Sequence, residues 1–367
     1  MKKCLKFLFF LILLLSISGI GCAAFETSTE EALAERAGLG ELSVDAVTKE
    51  ELSGDSKINL FGKILTFISD ALKVGAASSL KGFALILTVV ILSAVLASFK
   101  WTTTNTSLHT AYEYISILAL SGVTFTIFTS VFSFVREALT SLNTFMLALL
   151  PVTGSLYIFG GNAATASVSN AALILFFGII NSICTSFLMP FLQISFALCL
   201  ASAIPGTVNL TSVSTLVRNT TTTVLAFLFS LFGFAMYLQT IIAASADNYA
   251  YRSVRFASGV FVPVIGSMIG DASRTVFGSI GVIKSVVGAI GITVILSIII
   301  PPIILVVMYK LALLGCAIIS RALGCERESR FLYELNGIMN VLMALLIGCA
   351  VVLIIALAIF IRAGVST

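Results

Sequence analysis

The sequence predicts an all-α fold: a polytopic integral-membrane helical bundle of about seven to nine transmembrane helices, behind a cleaved signal peptide and a short extracytoplasmic helical segment. Three observations carry this expectation. Of the 367 residues, 59% are hydrophobic and only 10% are charged, whereas soluble domains carry about a quarter charged residues. The mean hydropathy is +1.12. Apolar runs recur from residue 83 to residue 361, each near or above the roughly 20 residues that cross a hydrocarbon core. A water-soluble globular enzyme is excluded on these grounds.

The net charge of +4 conceals three unlike parts. Residues 1–24 carry three lysines and no acids, residues 25–80 ten acids against five bases, and residues 81–367 thirteen bases against seven acids. This is the partition of a leader, an acidic exposed segment and a membrane body. With no basic stripe interleaved with aromatics, nucleic acid is not an expected partner.

In the leader, Lys2, Lys3 and Lys6 precede the apolar run Phe7 to Ile20, and the small residues Gly21, Cys22, Ala23 and Ala24 follow. That order reads as a secretory signal peptide, 1–24, whose cleavage places the mature N-terminus outside the cytoplasm. Two alternatives compete with it. One is acylation at Cys22, although Gly19 stands where a lipobox has a branched aliphatic residue. The other is an uncleaved first helix.

Residues 25–80 form the expected extracytoplasmic segment. Ser28 and Glu31 are spaced as a capping box ahead of a short helix. From Lys57 to Gly75, Phe61, Ile64, Leu65, Ile68 and Leu72 recur at helical spacing, with Lys63, Thr66, Asp70 and Lys73 on the other side. An amphipathic helix follows. It suits the outer membrane face, a partner, or the protein's own body.

The membrane body, 81–367, holds apolar runs at Phe83–Phe99, Tyr114–Val135, Ala138–Phe159, Ala171–Ile204, Thr223–Ala244, Val276–Ile300, Ile303–Ser320 and Ile338–Ile361. Ala171–Ile204 exceeds one straight span, and Pro190 permits a kink or break there. With the N-terminus outside, Asp247–Arg255 and the loop Arg321–Arg330 fall on the cytoplasmic side. Arg252, Arg255, Arg321, Arg327 and Arg330 then obey the positive-inside rule, against scattered Arg136, Arg218 and Arg362. Cys184, Cys199, Cys316, Cys325 and Cys349 fall in spans or that loop, without a C-x-x-C or a Cys/His cluster. They read as small packing residues, with no cofactor or metal expected.

Catalytic patterns are missing. Gly270-Asp271 follows Met268 and Ile269, which breaks the G-x-G-D of an intramembrane aspartyl protease. The single histidine, His109, sits among threonines with no G-x-S-G partner. No phosphate-binding glycine loop occurs either. The chain reads as non-enzymatic.

The stretch Arg252 to Gly291 is too charged for an ordinary lipid-facing helix. Asp271, Arg274 and Lys284 would each cost roughly 2.5–3.5 kcal/mol at a span's centre. They are therefore candidate pore or charge-pair residues, and Asp271 and Arg274, three apart, can share a helix face. A solvated cytoplasmic interface is the plainer alternative to a broken helix lining a passage. Gly278, Gly281, Ser285 and Gly288 place small residues on one face, and Gly266 and Gly270 add a G-x-x-x-G. These are candidate helix-packing positions, within the protomer or between copies.

Across this stretch run Arg252, Arg255-Phe256, Gly259, Phe261, Pro263-Val264, Gly266, Met268, Asp271-Ala272, Thr275-Val276, Ser279, Lys284, Val287-Gly288 and Gly291. With Phe145 to Val152, Asn219 to Gly233 and Tyr309 to Ala312, this pattern resembles the stage III sporulation protein AE family. The resemblance implies a non-enzymatic membrane subunit of a channel-like complex joining mother cell and forespore during endospore formation. It implies a place in the mother-cell-derived outer forespore membrane, other membrane proteins of that complex as partners, and support of forespore development and late forespore gene expression. Pore lining, anchor and assembly platform are not separable from sequence, and a homo-oligomer is open. The alternative is a stand-alone secondary transporter of a small solute, for which paired broken helices are expected.

Overall fold

A computed structural model describes residues 57–98, 106–159, 175–204, 211–261 and 265–362, with backbone alone over 57–68, 97–98, 106–110, 239–240, 242–261 and 265–281 and at a few single positions. The expected signal peptide, the Ser28/Glu31 capping box and Pro263 lie outside the described residues. The fold is all-α. Its helices are α1 (Lys57–Ser98), α2 (Thr106–Phe159), α3 (Leu175–Ala203), α4 (Thr211–Phe261), α5 (Ile265–Ala322) and α6 (Glu326–Arg362). Among the described residues these six contain segments long and apolar enough to cross a membrane.

The eight apolar runs thus fall on six helices, because two pairs merge. Tyr114–Val135 and Ala138–Phe159 are both in α2. Only Arg136 and Glu137 separate them, and both are good helix formers with no turn chemistry. Val276–Ile300 and Ile303–Ser320 are both in α5, which continues through Pro301 and Pro302. Just before them the Ser297 hydroxyl donates to the Val294 carbonyl at 2.8 Å, a hydroxyl–backbone bond of the kind that helps membrane helices accommodate proline. The amphipathic stretch from Lys57 likewise continues unbroken into the first apolar run as α1.

Pro190 acts otherwise. A π-helical turn, Cys184–Leu188, interrupts α3 immediately before Met189–Ala203. Proline cannot donate to the carbonyl four residues earlier, that of Ser186, and its ring crowds that carbonyl. The wider turn around Ser186 relieves the clash without ending the helix.

The expected loop Arg321–Arg330 is corrected to a tight helical hairpin, since only residues 323–325 are non-helical. Gly324 takes φ 81°, open to glycine without strain. The Cys325 N–H donates to the Ser320 carbonyl at 2.9 Å and the Gly324 N–H to that of Arg321 at 3.1 Å, closing α5 as a Schellman motif. Of the charges in that stretch, Arg321 sits on the last turn of α5 and the rest on the first turns of α6, where Glu326 and Glu328 favour the positive end of the helix dipole.

The chain forms two compact units. The first draws on residues up to Arg136, on Met189–Thr222 and on Ile300–Ala344. In its core Phe196 stacks on Phe128, with centroids 4.5 Å apart. A Cβ at Gly82 would stand 2.8 Å from the Tyr309 ring, so α1 and α5 approach too closely for a side chain there. The second unit draws on Glu137–Leu188, Thr223–Ile299 and residues from Leu345. There Gly288 lies against Ile361, Gly291 against Leu357, and Gly348 against the ring of Phe229. Small residues again let helices meet.

Candidate functional site

The densest buried polar cluster among the described residues gathers in the first unit around the α5–α6 hairpin. Ser329 Oγ donates to the Ala317 carbonyl at 2.8 Å and Ser320 Oγ to the Cys325 carbonyl at 3.0 Å, so each strand of the hairpin holds the other. The third residue of α6, Glu328, is 7% exposed. Its Oε1 accepts from Ser93 Oγ of α1 at 2.6 Å and from Ser116 Oγ of α2 at 2.8 Å. Ser93 also lies 3.8 Å from the Cys325 sulfur. At the rim, Arg327 and Glu113 pair at 3.7 Å while remaining exposed, a contact worth little.

Two hydroxyls converging on one carboxyl oxygen stabilise a polar group that would otherwise be costly to bury. Ser93 and Ser116 are themselves 4% and 5% exposed, which leaves no access for a substrate. This arrangement ties three helices together rather than performing chemistry.

A second polar contact joins α4 to α6. Arg218 Nη1 lies 3.0 Å from Glu334 Oε2 and donates also to the Glu334 carbonyl at 3.3 Å. Both side chains are half-buried. The guanidinium sits in the notch left by Gly337, where a Cβ would overlap it. Nearby in the same unit, Ser195 and Ser214 exchange hydroxyl and carbonyl bonds near 3.0 Å between α3 and α4. In the second unit the sulfurs of Cys184 and Cys349 are 3.9 Å apart. The five described cysteines are buried and form no disulfide. Among the described residues no group of three or more His, Cys, Asp or Glu could hold a metal ion.

Of the residues singled out from sequence, Lys284 is 1% exposed on α5. Gly288, one turn on, packs on Ile361, whereas Ser285 is exposed. The buried face of the described part of α5 therefore runs Lys284, Gly288, Gly291, Ile295, and takes in Gly288 of the small-residue stripe but not Ser285. Gly266, Gly270, Asp271, Arg274, Gly278 and Gly281 are on α5's helical backbone, and Arg252, Arg255 and Gly259 on that of α4. Their side-chain surroundings are outside the description. Ser93, Ser116 and Glu328 were not anticipated. The one available signal was an acid three residues after a Gly-x turn, the position a helix start favours.

The family model described as stage III sporulation protein AE matches residues 42–364. The stage III sporulation protein AE of Bacillus subtilis (strain 168) is 28% identical over 247 residues, covering 65% of this chain and 61% of that protein. No solved structure matches.

Proposed function

Because the chain belongs to the stage III sporulation protein AE family, we propose that it is a non-enzymatic, integral-membrane subunit of the channel-like complex connecting mother cell and forespore. The family match over residues 42–364 carries the proposal. Six helices of spanning length among the described residues support a membrane role. The buried polar clusters support a structural use of polar groups, since each bonds one helix to another.

In this reading the protein occupies the mother-cell-derived membrane around the forespore, with its acidic N-terminal segment on the extracytoplasmic side. It works with other membrane proteins of the complex as pore lining, anchor or assembly platform, and sustains late forespore gene expression.

The test is deletion of the gene in its spore-forming source, with plasmid complementation, scoring forespore integrity and a late forespore reporter after engulfment. Arrest after engulfment with a failing reporter, restored by the plasmid, is the expected result. Normal spores would overturn the proposal and leave an independent solute transporter as the reading to pursue.

A further inference from the structure

Helix continuity decides which charged ends of the chain share a side of the membrane. α5 is one helix from Ile265 to Ala322, with one stretch of spanning character, Val282–Ala322. A helix cannot reverse within itself, and the Pro301-Pro302 step at most bends it. A helix that crosses the bilayer therefore leaves its two ends on opposite sides.

Two groups of arginines stand at those two ends. Arg252 and Arg255 are on the last three turns of α4, which stops at Phe261, and Arg274 is on the third turn of α5. Arg321, Arg327 and Arg330 flank the α5–α6 hairpin at the other end. Counting Val276–Ile300 and Ile303–Ser320 as two crossings puts Arg252, Arg255 and the hairpin on one side. As one helix they put them on opposite sides.

Contacts inside the first unit give the direction independently. Gly75 of α1 lies against Ile304 of α5, Gly82 against Tyr309, and Phe83 against Gly315. The numbers rise together, so α1 and α5 are parallel and begin on the same side. Near the end of α1, Ser93 meets Glu328 at the start of α6, which puts the hairpin at that end. Ser202, at the end of α3, bonds Thr211, at the start of α4, at 2.8 Å, and Arg218 one turn or two further on pairs with Glu334 of α6. α4 thus begins on the hairpin side and, crossing once, ends on the other.

We propose that the α4–α5 turn, with Arg252, Arg255 and Arg274, lies on the extracytoplasmic side together with the N-terminal segment, while the α5–α6 hairpin faces the cytoplasm. The naming of the sides rests on the extracytoplasmic N-terminus of the functional reading; the separation of the two ends does not. The positive-inside bias is then carried by Arg321, Arg327 and Arg330. On the other side residues 25–56 carry nine acids against two bases, so the arginines of the turn share a compartment with an excess of acid that the chain itself supplies. A partner of this turn has to reach it from the extracytoplasmic space.

The experiment uses the full chain in intact cells that express it and a membrane-impermeant maleimide, before and after permeabilisation, with the unsubstituted protein as blank. Ser43→Cys, Ser253→Cys and Ser273→Cys should label in intact cells at least tenfold faster than Glu326→Cys, which should label only once the membrane is opened. Ser253→Cys, Ser273→Cys and Glu326→Cys becoming reactive under the same condition overturns the proposal, since both ends would then share one side. Glu326→Cys reactive in intact cells, with Ser43→Cys and Ser253→Cys silent until permeabilisation, overturns the orientation here and in the functional reading. Should packing shield both serines of the turn, an epitope tag appended after Thr367 decides, because α6 ends on the side where α4 ends. A tag removed by protease added to intact cells supports the proposal, and a protected tag overturns it. The expected labelling together with normal spores in the deletion strain would keep the two sides and sink the channel reading.

Discussion

The Ser93 hydroxyl of α1 donates a 2.6 Å hydrogen bond to Oε1 of Glu328 on α6, across 235 residues of sequence. Ser116 of α2 donates to the same oxygen at 2.8 Å. Ser93→Ala or Ser116→Ala removes one of two donors to a buried carboxyl, and the expected loss is about 1–3 kcal/mol each. The two changes share a partner, so their effects should not add. Glu328→Gln keeps an acceptor oxygen and should lose less than Glu328→Ala. Thermal unfolding of the purified protein in detergent is the measurement, and wild-type midpoints for both alanine variants would count against the tie.

Arg218 and Gly337 interlock. A Cβ at Gly337 would overlap the guanidinium, which lies over the α6 backbone and pairs with Glu334 at 3.0 Å. Gly337→Ala should therefore lower accumulation in the membrane by displacing Arg218 from its partner. In an Arg218→Ala background the obstacle is gone, and adding Gly337→Ala should change little. Full additivity of the two substitutions would show that the notch is not what Gly337 provides.

Much of this architecture is legible because membrane helices declare themselves by composition: among the described residues, six helices of spanning length lie beneath the apolar runs. Where helices end is less legible. Arg136-Glu137 and Pro301-Pro302 look like boundaries because charge and proline punctuate soluble helices, yet α2 and α5 pass through both. The converse holds at Gly324, where one residue of positive φ turns the chain within a stretch whose charges suggested a longer loop. The Glu328 cluster was hidden for a different reason. Its donors come from helices more than 200 residues away in sequence, and no local pattern marks a serine whose partner is that remote.

Gly288 and Ser285 separate two faces of α5. Gly288 lies against Ile361 in the second unit, while Ser285 is exposed. Gly288→Leu should prevent accumulation, because the added side chain has no room on the α6 side. Gly291→Leu should act likewise, since even a Cβ there would stand 2.8 Å from Leu357. Ser285→Leu should be tolerated as an apolar residue on an open face. Quantitative immunoblotting of membrane fractions distinguishes them, and normal levels of Gly288→Leu with normal partner pull-down would refute close packing at this face.

Asp271 and Arg274 stand three residues apart on the helical backbone of α5, a spacing that lets opposite charges meet along one face. In a membrane such a pair is far cheaper than two separate charges, so each residue's worth should depend on the other. Asp271→Arg or Arg274→Asp alone places two like charges one turn apart and should impair the late forespore reporter. The double swap restores opposite charges at the same spacing and should recover part of that activity. Protein levels measured in parallel separate a failure of insertion from a failure of function. Harmless single swaps, or a double swap no better than either one, would assign both residues to the solvated membrane interface, where their pairing contributes nothing.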